Sequence, residues 1–209
     1  DCSGCDFHTT NQPLPGGRSY ADVELSLDPE SGDVVKKTAT IRPAHADQVE
    51  PCPTVAKLVA SAEEAVASRV SRRLGAIDGA ASRGRAPSGE SPLGKLVADA
   101  QRAAVAAEIA FMNEGGLRCD LQAGDVTWGD AYSLHPFANE IVAMELSGEQ
   151  ILALLKQQWR EDGSSILHVS GIAYEWCAGE DGSVEIANAI VGGEPLEEGR
   201  SYRVAVNDY

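Results

Sequence analysis

The segment Glu108-Ile-Ala-Phe-Met-Asn-Glu-Gly-Gly-Leu-Arg118 joins an apolar run to a polar turn that contains two glycines. A short, uninterrupted apolar run is typical of a strand that is buried on both faces. Adjacent glycines let a backbone approach a ligand closely, with amide N–H groups free to donate hydrogen bonds. Asn113 and Arg118 flank these glycines and could bond a planar, anionic ligand from both ends. A simple tight turn with a surface arginine is the alternative, and spacing alone favours it.

Three helix starts are recognisable around this strand. Ser91 can cap a helix, and Pro92 suits its first turn. Thr127 and Ser147 each open a sequence with the spacing of a capping box. The residues expected to face inward are Leu93, Leu96, Val97, Ala100 and Ala104 on the first helix, and Ile151, Leu152, Leu155 and Trp159 on the third.

Further periodic patterns occupy the rest of the chain. Residues 20–42 alternate polar and apolar side chains around a turn, which predicts a β-hairpin. Residues 54–74 carry apolar side chains at helical spacing, which predicts a long amphipathic helix, and residues 79–90 have the composition of a loop. Strands are predicted at 108–112, 140–146, 166–176, 184–191 and 202–206. Helices and strands alternate irregularly, so we expect an α+β (mixed α/β) domain from about residue 80 onward.

Composition narrows the possible functions. The chain has 209 residues, 43% of them hydrophobic, and a net charge of −15. No apolar run approaches the ~20 residues of a membrane-spanning helix, so we predict no membrane span. The acidic charge disfavours a nucleic-acid polymer as partner, whereas a local arginine cluster can still hold a small anion. The chain begins at Asp1 without a leader segment, and we expect a processed product or a fragment.

The five cysteines cannot all pair with one another within the chain. Cys2, Cys5 and His8 have a spacing that could supply three zinc ligands. A structural zinc site usually has four ligands, and no second pair with metal-ligand spacing follows. A disulfide or unpaired thiols near an exposed terminus is the favoured interpretation, with a zinc module as the alternative.

Two other segments are candidates for ligand contact. Phe137 lies in a proline-containing loop and could stack on a nucleobase, although a loop phenylalanine more often packs into the local core. Arg83 and Arg85 form a basic spot in an acidic chain and could clamp a carboxylate or a phosphate. A solvated loop is the default interpretation of such a spot.

Five segments together resemble one protein family. They are Gly89-Glu-Ser-Pro-Leu-Gly-Lys-Leu-Val-Ala-Asp-Ala100, Phe111-Met-Asn-Glu-Gly-Gly-Leu-Arg118, Gly129-Asp-Ala-Tyr-Ser-Leu-His-Pro-Phe-Ala-Asn139, Val142-Ala-Met-Glu-Leu-Ser-Gly-Glu-Gln-Ile151 and Tyr202-Arg-Val-Ala-Val-Asn-Asp-Tyr209. In this order they are similar to the C-terminal, substrate-binding domain of the 5′-nucleotidase / UDP-sugar hydrolase / 2′,3′-cyclic phosphodiesterase family. The resemblance implies a 5′-nucleotidase C-terminal-like nucleotide-binding domain in residues 80–209. It also implies the edge of a metallophosphatase domain, a β-hairpin, in residues 1–45, and a linker with a connector helix in residues 46–79.

The same resemblance implies how a ligand is held. Phe137 corresponds to one of two aromatic residues that sandwich a nucleobase in the family, and Tyr209 stands where the second is expected. Asn113 and Gly115 are expected to bond the base or another part of the substrate. Stacking of this kind contributes ~1–3 kcal/mol per base and tolerates different bases.

Arginines are expected to hold the charged end of the ligand. The resemblance assigns ribose-side or phosphate oxygens to Arg118. Arg83 lies where many relatives place another anion-binding arginine, and Arg85 is a close competitor for that role. Glu114 departs from the family pattern, because it replaces the first glycine of Asn-Gly-Gly-Gly-Ile-Arg and puts a carboxylate beside the expected anion site.

The family's catalytic motifs do not occur in this sequence. The resemblance implies two divalent metal ions on a metallophosphatase domain that this chain lacks, and no catalytic residue, metal ligand or cofactor in the chain itself. We therefore expect a nucleotide- or nucleoside-recognising domain of a secreted, periplasmic or cell-surface phosphohydrolase, inactive alone. The alternative is a non-catalytic secreted structural or interaction protein that keeps the fold without the ligand.

Overall fold

Two compact units make up the chain in the computed structural model, residues 1–64 and 65–209. The boundary between them falls inside helix α1 (Pro53–Val70). The structure describes residues 19–45, 49–160, 163–179 and 183–209.

The cysteines are only partly described. Cys2 and Cys5, with the other predicted zinc ligand His8, lie outside the described residues. Those that are described carry free thiols, namely Cys52, Cys119 and Cys177. The disulfide and the zinc module near the start of the chain therefore stay predictions.

The first unit contains the predicted β-hairpin. Strands β1 (Ser19–Leu27) and β2 (Val34–Pro43) pair antiparallel. Asp28 closes the turn, because its carboxylate accepts two backbone N–H groups at 2.8 and 2.9 Å. Several large apolar side chains of the hairpin are exposed, among them Val23, Leu25, Leu27, Val34 and Val35.

Helix α1 is shorter than its apolar pattern predicts. It ends at Val70, whereas the sequence pattern extends to residue 74. The chain then forms β3 (Arg73–Ile77), which pairs antiparallel with β5 (Gly124–Thr127). The predicted end of the helix is wrong, and the pattern missed both short strands. The apolar residues of α1 remain exposed, including Val55, Leu58, Val59 and Val66.

Helix α3 (Trp128–Leu134) explains where α1 ends. It begins with the predicted capping box, in which the Thr127 side chain and Asp130 bond each other's backbone N–H groups. The N–H of Trp128 donates to the carbonyl of Arg72 at 2.8 Å. Gly129 lies against the Val70 side chain, because a Cβ added to Gly129 would stand only 2.5 Å from a methyl carbon of Val70. Tertiary contacts thus outweigh helical periodicity at this point.

A four-stranded sheet with the order β6–β13–β4–β9 forms the centre of the second unit. Strands β4 and β13 are parallel, and the two outer strands pair antiparallel with them. Every residue from 109 to 112 is buried, which confirms a strand covered on both faces. The strands are β4 (Ile109–Asn113), β6 (Ile141–Ser147), β9 (Leu167–Ser170) and β13 (Ser201–Asn207).

Different layers cover the two faces of this sheet. Helix α2 (Pro92–Ala104) packs on β4 and β9, and its core includes Leu93, Ala98 and Met112. Helix α4 (Gly148–Lys156) packs against β6 and β11. The core on this second side consists of Ile109, Phe111, Ile151, Leu155, Val169, Ile172, Val191, Tyr202 and Val204.

The remaining strands complete the β-rich end of the chain. β10 (Ile172–Ala178), β11 (Val184–Val191) and β12 (Glu194–Pro195) form a three-stranded antiparallel sheet. β7 (Trp159–Arg160) pairs with β8 (Gly163–Ser164). The strand predicted at 184–191 is confirmed as β11, and the whole is the mixed α/β fold that the sequence predicts. The single strand predicted at 166–176 is instead divided into β9 and β10 at Gly171, whose φ of +78° interrupts the extended backbone.

The prediction that Trp159 faces inward from a helix is wrong. α4 ends at Lys156, and the amide side chain of Gln158 donates to the Leu155 carbonyl at 2.9 Å and thereby ends this helix. The Trp159 ring instead lies beside the Trp176 ring, with 4.6 Å between centroids.

The inward-facing set predicted for α2 is partly wrong. The helix buries Leu93, Gly94, Ala98 and Gln101, whereas Leu96, Ala100 and Ala104 are exposed. The reason is the ring of His168, which occupies the space where a Cβ on Gly94 would stand. The helix can approach β9 closely only along this side, so it is rotated away from its most hydrophobic stripe.

We expect Gly171→Ala to destabilise the fold more than Gly193→Ala. Both glycines have positive φ angles, +78° and +92°, which cost another residue about 1–2 kcal/mol. A Cβ on Gly171 would also overlap the carbonyl oxygen of Glu108, whereas Gly193 has open space around it. Gly171→Ala should therefore lower the free energy of unfolding by about 1–3 kcal/mol more than Gly193→Ala, measured by urea denaturation. Equal losses would contradict this packing.

His168 links β9 to the start of α2. Its side chain is buried, and its Nδ1 accepts the N–H of Ser91 at 3.2 Å. Burial lowers the pKa of His168 below its ordinary value. Glu90 and Glu114 raise this pKa and Arg85 lowers it, but these charges are smaller influences than burial. The folded chain thus holds a neutral imidazole here.

Acid should destabilise the folded chain through His168. In the unfolded chain a histidine titrates near pH ~6.5, and the folded pKa lies lower, so the unfolded chain takes up the proton first. The contribution of the neutral ring is present above about pH 6.5 and is lost as the pH falls through the folded pKa. We expect His168→Gln to flatten this loss by up to about 1.4 kcal/mol per pH unit in urea titrations from about pH 5 to about pH 8.

His45→Gln, at an exposed position, is the control for loss of a histidine and should leave the slope unchanged. Some pH dependence will remain in His168→Gln, because burial also lowers the pKa of His135. An unchanged slope in His168→Gln would contradict a neutral buried ring.

Candidate ligand-binding site

A cavity of about 370 Å³ opens where strands β4 and β13 end. Because the two strands are parallel, their last residues, Asn113 and Asn207, lie at the same edge of the sheet. Ligands of open sheets commonly bind beyond the carboxyl ends of parallel strands. The described residues that line the cavity are Asn113, Gly115, Gly116, Arg118, His135, Phe137, Asn139, Asn207 and Tyr209.

A single turn of 3₁₀-helix, Glu114–Gly116, follows β4 and forms one wall. It is closed by the N–H of Leu117, which donates to the Glu114 carbonyl at 3.0 Å. A Cβ on Gly116 would overlap the methyl group of Met112, so the turn packs closely against the end of that side chain. The backbone N–H of Arg118 donates to the Leu134 carbonyl at 2.8 Å and ties this wall to the end of α3.

The loop after α3 forms the second wall and presents Phe137. This side chain is 45% exposed, which leaves a ring face available to a ligand. The His135 ring meets it edge-on at a centroid distance of 5.6 Å. The guanidinium carbon of Arg118 lies 5.9 Å from the Phe137 ring centroid, within the range of a cation–π contact. An aromatic face and a positive charge therefore adjoin in this cavity.

The end of β13 forms the third wall. The N–H of Glu140 donates to the Asp208 carboxylate, and the N–H of Asp208 donates to the Glu140 carbonyl, both at 3.1 Å. This two-way connection holds the end of β13 beside the loop that carries Phe137. Tyr209, next in the chain, is 93% exposed and lines the cavity from the side of β13.

The arginines around the cavity differ in whether they have an ion-pair partner. Arg85 forms a two-pronged ion pair with Glu114, and its hydrogen bond holds the pKa of that carboxyl below the ordinary value. Arg118 donates to the Gly115 carbonyl at 3.4 Å and has no carboxylate partner among the described residues. Arg118 is thus the cation that faces the cavity without an internal counter-charge.

Five of the six predicted site residues come together in this cavity. They are Asn113, Gly115, Arg118, Phe137 and Tyr209. Arg83 lies outside the set of lining residues, because its guanidinium and its backbone N–H both bond the Asp120 carboxylate, at 3.1 and 2.9 Å. The competing Arg85 is held by Glu114. The roles in ligand binding that the resemblance implies for these residues stay predictions.

Four residues that line the cavity are not among the six predicted site residues. Gly116, His135, Asn139 and Asn207 all belong to the segments that carry the family resemblance. Their positions within two residues of Gly115, Phe137 and Tyr209 are the available signal. The convergence of three distant segments depends on the parallel pairing of β4 with β13, which residue spacing does not reveal.

A family model described as 5′-nucleotidase, C-terminal domain, matches residues 68–209. The chain belongs to this family and carries the substrate-binding, C-terminal domain of 5′-nucleotidase-family proteins, as the sequence predicts.

Individual relatives are much longer than this chain. The chain is 28% identical over 198 residues to Endonuclease YhcR of Bacillus subtilis strain 168, with 95% of the chain and 16% of that protein covered. It is 27% identical over 219 aligned positions to Cell wall protein Lmo0130 of Listeria monocytogenes, with 95% and 28% covered. The chain thus spans less than a third of the length of these relatives.

A solved structure supports the same fold. The crystal structure of a 5′-nucleotidase precursor from Thermus thermophilus matches with a TM-score of 0.68 and 25% identity. The match covers 92% of this chain and 40% of that chain.

The described residues do not fit a resident metal ion. Nowhere in this part of the chain do three His, Cys, Asp or Glu side chains lie close enough to share one. Two acidic side chains that could contribute oxygen ligands are already paired, Glu114 with Arg85 and Asp120 with Arg83. Within the described segments, every helix is too short or too polar to cross a membrane.

Proposed function

We propose that the second unit binds a nucleoside or nucleotide in the cavity at the ends of β4 and β13. The observation that carries this proposal is the convergence of Phe137, Arg118 and Asn113 in one cavity. Phe137 is a half-exposed aromatic ring, and Arg118 has no carboxylate partner within the described part of the chain. A volume of about 370 Å³ falls within the range of small-molecule sites. Family membership supports the same ligand class.

The three walls suit the three parts of such a ligand. A base stacks on the exposed face of Phe137, with Tyr209 free to cover its other face, because Tyr209 is almost fully exposed. The side-chain amide of Asn113 reaches the edge of the base. Arg118 offers its guanidinium to ribose or phosphate oxygens, a contact that is strongest when the partner is an anion.

We propose that this domain serves a secreted, periplasmic or cell-surface phosphohydrolase whose chemistry resides on another domain. On that domain two divalent metal ions would hydrolyse the phosphoester, and this chain would present the substrate. The exposed apolar face of the β1–β2 hairpin supports an adjoining domain, since a two-stranded sheet alone is marginally stable in water. Residues 1–45 would then be the edge of the metallophosphatase domain, residues 46–79 the connector and residues 80–209 the nucleotide-binding domain.

A non-catalytic structural or interaction protein is the second candidate function. Its support is the 27% identity to a relative named as a cell wall protein, together with the carboxylate of Glu114 beside the cavity. The two candidates differ in whether the cavity takes a ligand.

Phe137→Ala should weaken binding of adenosine and of AMP to this chain. Loss of one stacking face removes ~1–3 kcal/mol, which corresponds to a fall in affinity of about fivefold to a hundredfold. Isothermal titration calorimetry measures both ligands directly. Tyr20→Ala is the matched control, because this tyrosine is 52% exposed but lies in the hairpin. Identical titrations for wild type and Phe137→Ala, or no heat with either ligand, would contradict the proposal.

Glu114→Gln should strengthen binding of AMP and leave binding of adenosine nearly unchanged. The change removes a negative charge beside the cavity and releases Arg85 from its ion pair. Exposed charge pairs contribute up to ~1 kcal/mol, so we expect a gain of about two- to fivefold for AMP. Glu194→Gln makes the same change in net charge on the distant strand β12 and should alter neither affinity. Equal effects of the two substitutions on AMP would show that the Glu114 carboxylate does not act on the site.

A further inference from the structure

Beneath the cavity, the thioether of Met112 contacts two side-chain amides. The Sδ atom lies 3.4 Å from Nε2 of Gln101 and 3.7 Å from Nδ2 of Asn207, and Met112 is fully buried. A thioether sulfur has lone pairs and no hydrogen to donate. Each amide that meets it therefore turns its NH₂ group, and not its carbonyl oxygen, toward the sulfur.

The sulfur contact fixes which way Asn207 points. An NH₂ group has two hydrogens, and the second hydrogen of Asn207 is donated to Oδ1 of Asn113 at 3.0 Å. The reverse orientation would place Oδ1 of Asn207 against the sulfur lone pairs and leave its NH₂ group without the Met112 contact. The Met112 sulfur thus sets a direction for the whole chain of amide contacts.

The orientation of the Asn207 amide in turn fixes the orientation of the Asn113 amide. Since its carbonyl oxygen accepts from Asn207, its NH₂ group is the end that remains for the cavity. A Cβ added to Gly115 would lie 3.7 Å from Nδ2 of Asn113, so this NH₂ group is close to the Gly115 backbone. Both residues line the cavity. Arg118 can only donate hydrogen bonds as well. Asn113 and Arg118 therefore both present hydrogen-bond donors to whatever occupies the cavity.

We propose that Met112 and Asn207 are positioning residues that lock Asn113 with its NH₂ group toward the ligand, so the site selects a base edge that carries a hydrogen-bond acceptor. This inference rests on the proposed binding of nucleosides. Neither positioning residue needs to touch the ligand's acceptor atom, and both act through the orientation of Asn113. We call this series of contacts, from Met112 through Asn207 to Asn113, the relay. It also explains the placement of an otherwise ordinary core methionine directly before Asn113 in β4.

Adenosine and its deaza analogues test the relay. The acceptors on an adenine base are its three ring nitrogens that carry no hydrogen or sugar, and 1-deaza-, 3-deaza- and 7-deazaadenosine each replace one of them with CH while keeping the stacking surface. We expect wild type to bind one analogue about fivefold or more weakly than adenosine and the other two nearly as well, by calorimetry. Equal affinity for all four compounds would overturn the inference and leave nucleoside binding intact.

Asn207→Asp and Met112→Leu test the positioning residues. A carboxylate at 207 accepts from Asn113 and turns its carbonyl oxygen toward the cavity, and a leucine at 112 removes the sulfur at nearly constant volume. In wild type, adenosine is preferred over the weakly bound analogue by the ratio of their affinities. We expect this ratio to fall to about one in Asn207→Asp, and to decrease by at least about twofold in Met112→Leu. Asn139→Asp adds the same charge on another wall and should lower all affinities while keeping the preference.

The outcomes separate the two proposals. A preference that both positioning variants keep at the wild-type value would overturn the relay while leaving nucleoside binding in place. Absence of any adenosine binding to wild type would overturn the proposed function and the relay together. Because the readout is a ratio of affinities for nearly identical compounds, a partial loss of stability alone does not move it.

Discussion

The parallel pairing of β4 with β13 is the constraint on which the candidate site depends. Ile109 lies opposite Val204 and Ala110 opposite Ala205, and all four residues are buried. Their burial on both sides of the sheet fixes the register, since a one-residue slip would exchange the two faces of a strand. With that register set, Asn113 and Asn207 end side by side, 3.0 Å apart through their amides, and the cavity follows.

Several elements could be predicted because their signals are local. The buried run at 109–112 and the capping boxes at Thr127 and Ser147 each specify structure through neighbours in sequence, and the structure confirms them. The end of α1, the rotation of α2 and the short strands β3 and β5 depend on contacts from distant segments. The ring of His168 against Gly94 is such a contact, and no periodicity in α2 could indicate it.

The site shows the same division between local and long-range information. Phe137, Arg118 and Asn113 are candidates from their residue types and local sequence, and the family resemblance adds their expected roles; the cavity brings them together. Arg83 and Arg85 looked equally available in the sequence, yet each is paired with a carboxylate from another segment, Asp120 and Glu114. Ion-pair partners of this kind follow from the tertiary fold. Within a chain of net charge −15, Arg118 is left as the cation that faces the cavity.

The ligand proposed for the cavity at the ends of β4 and β13 is a nucleoside. Titration of adenosine into uniformly ¹⁵N-labelled chain, followed by heteronuclear NMR, tests it residue by residue. We expect saturable shifts of the backbone amides of Gly115, Gly116 and Arg118 and of the loop that carries Phe137, with the hairpin unchanged. Shifts confined to the hairpin, or no saturable shift in this cavity, would contradict it.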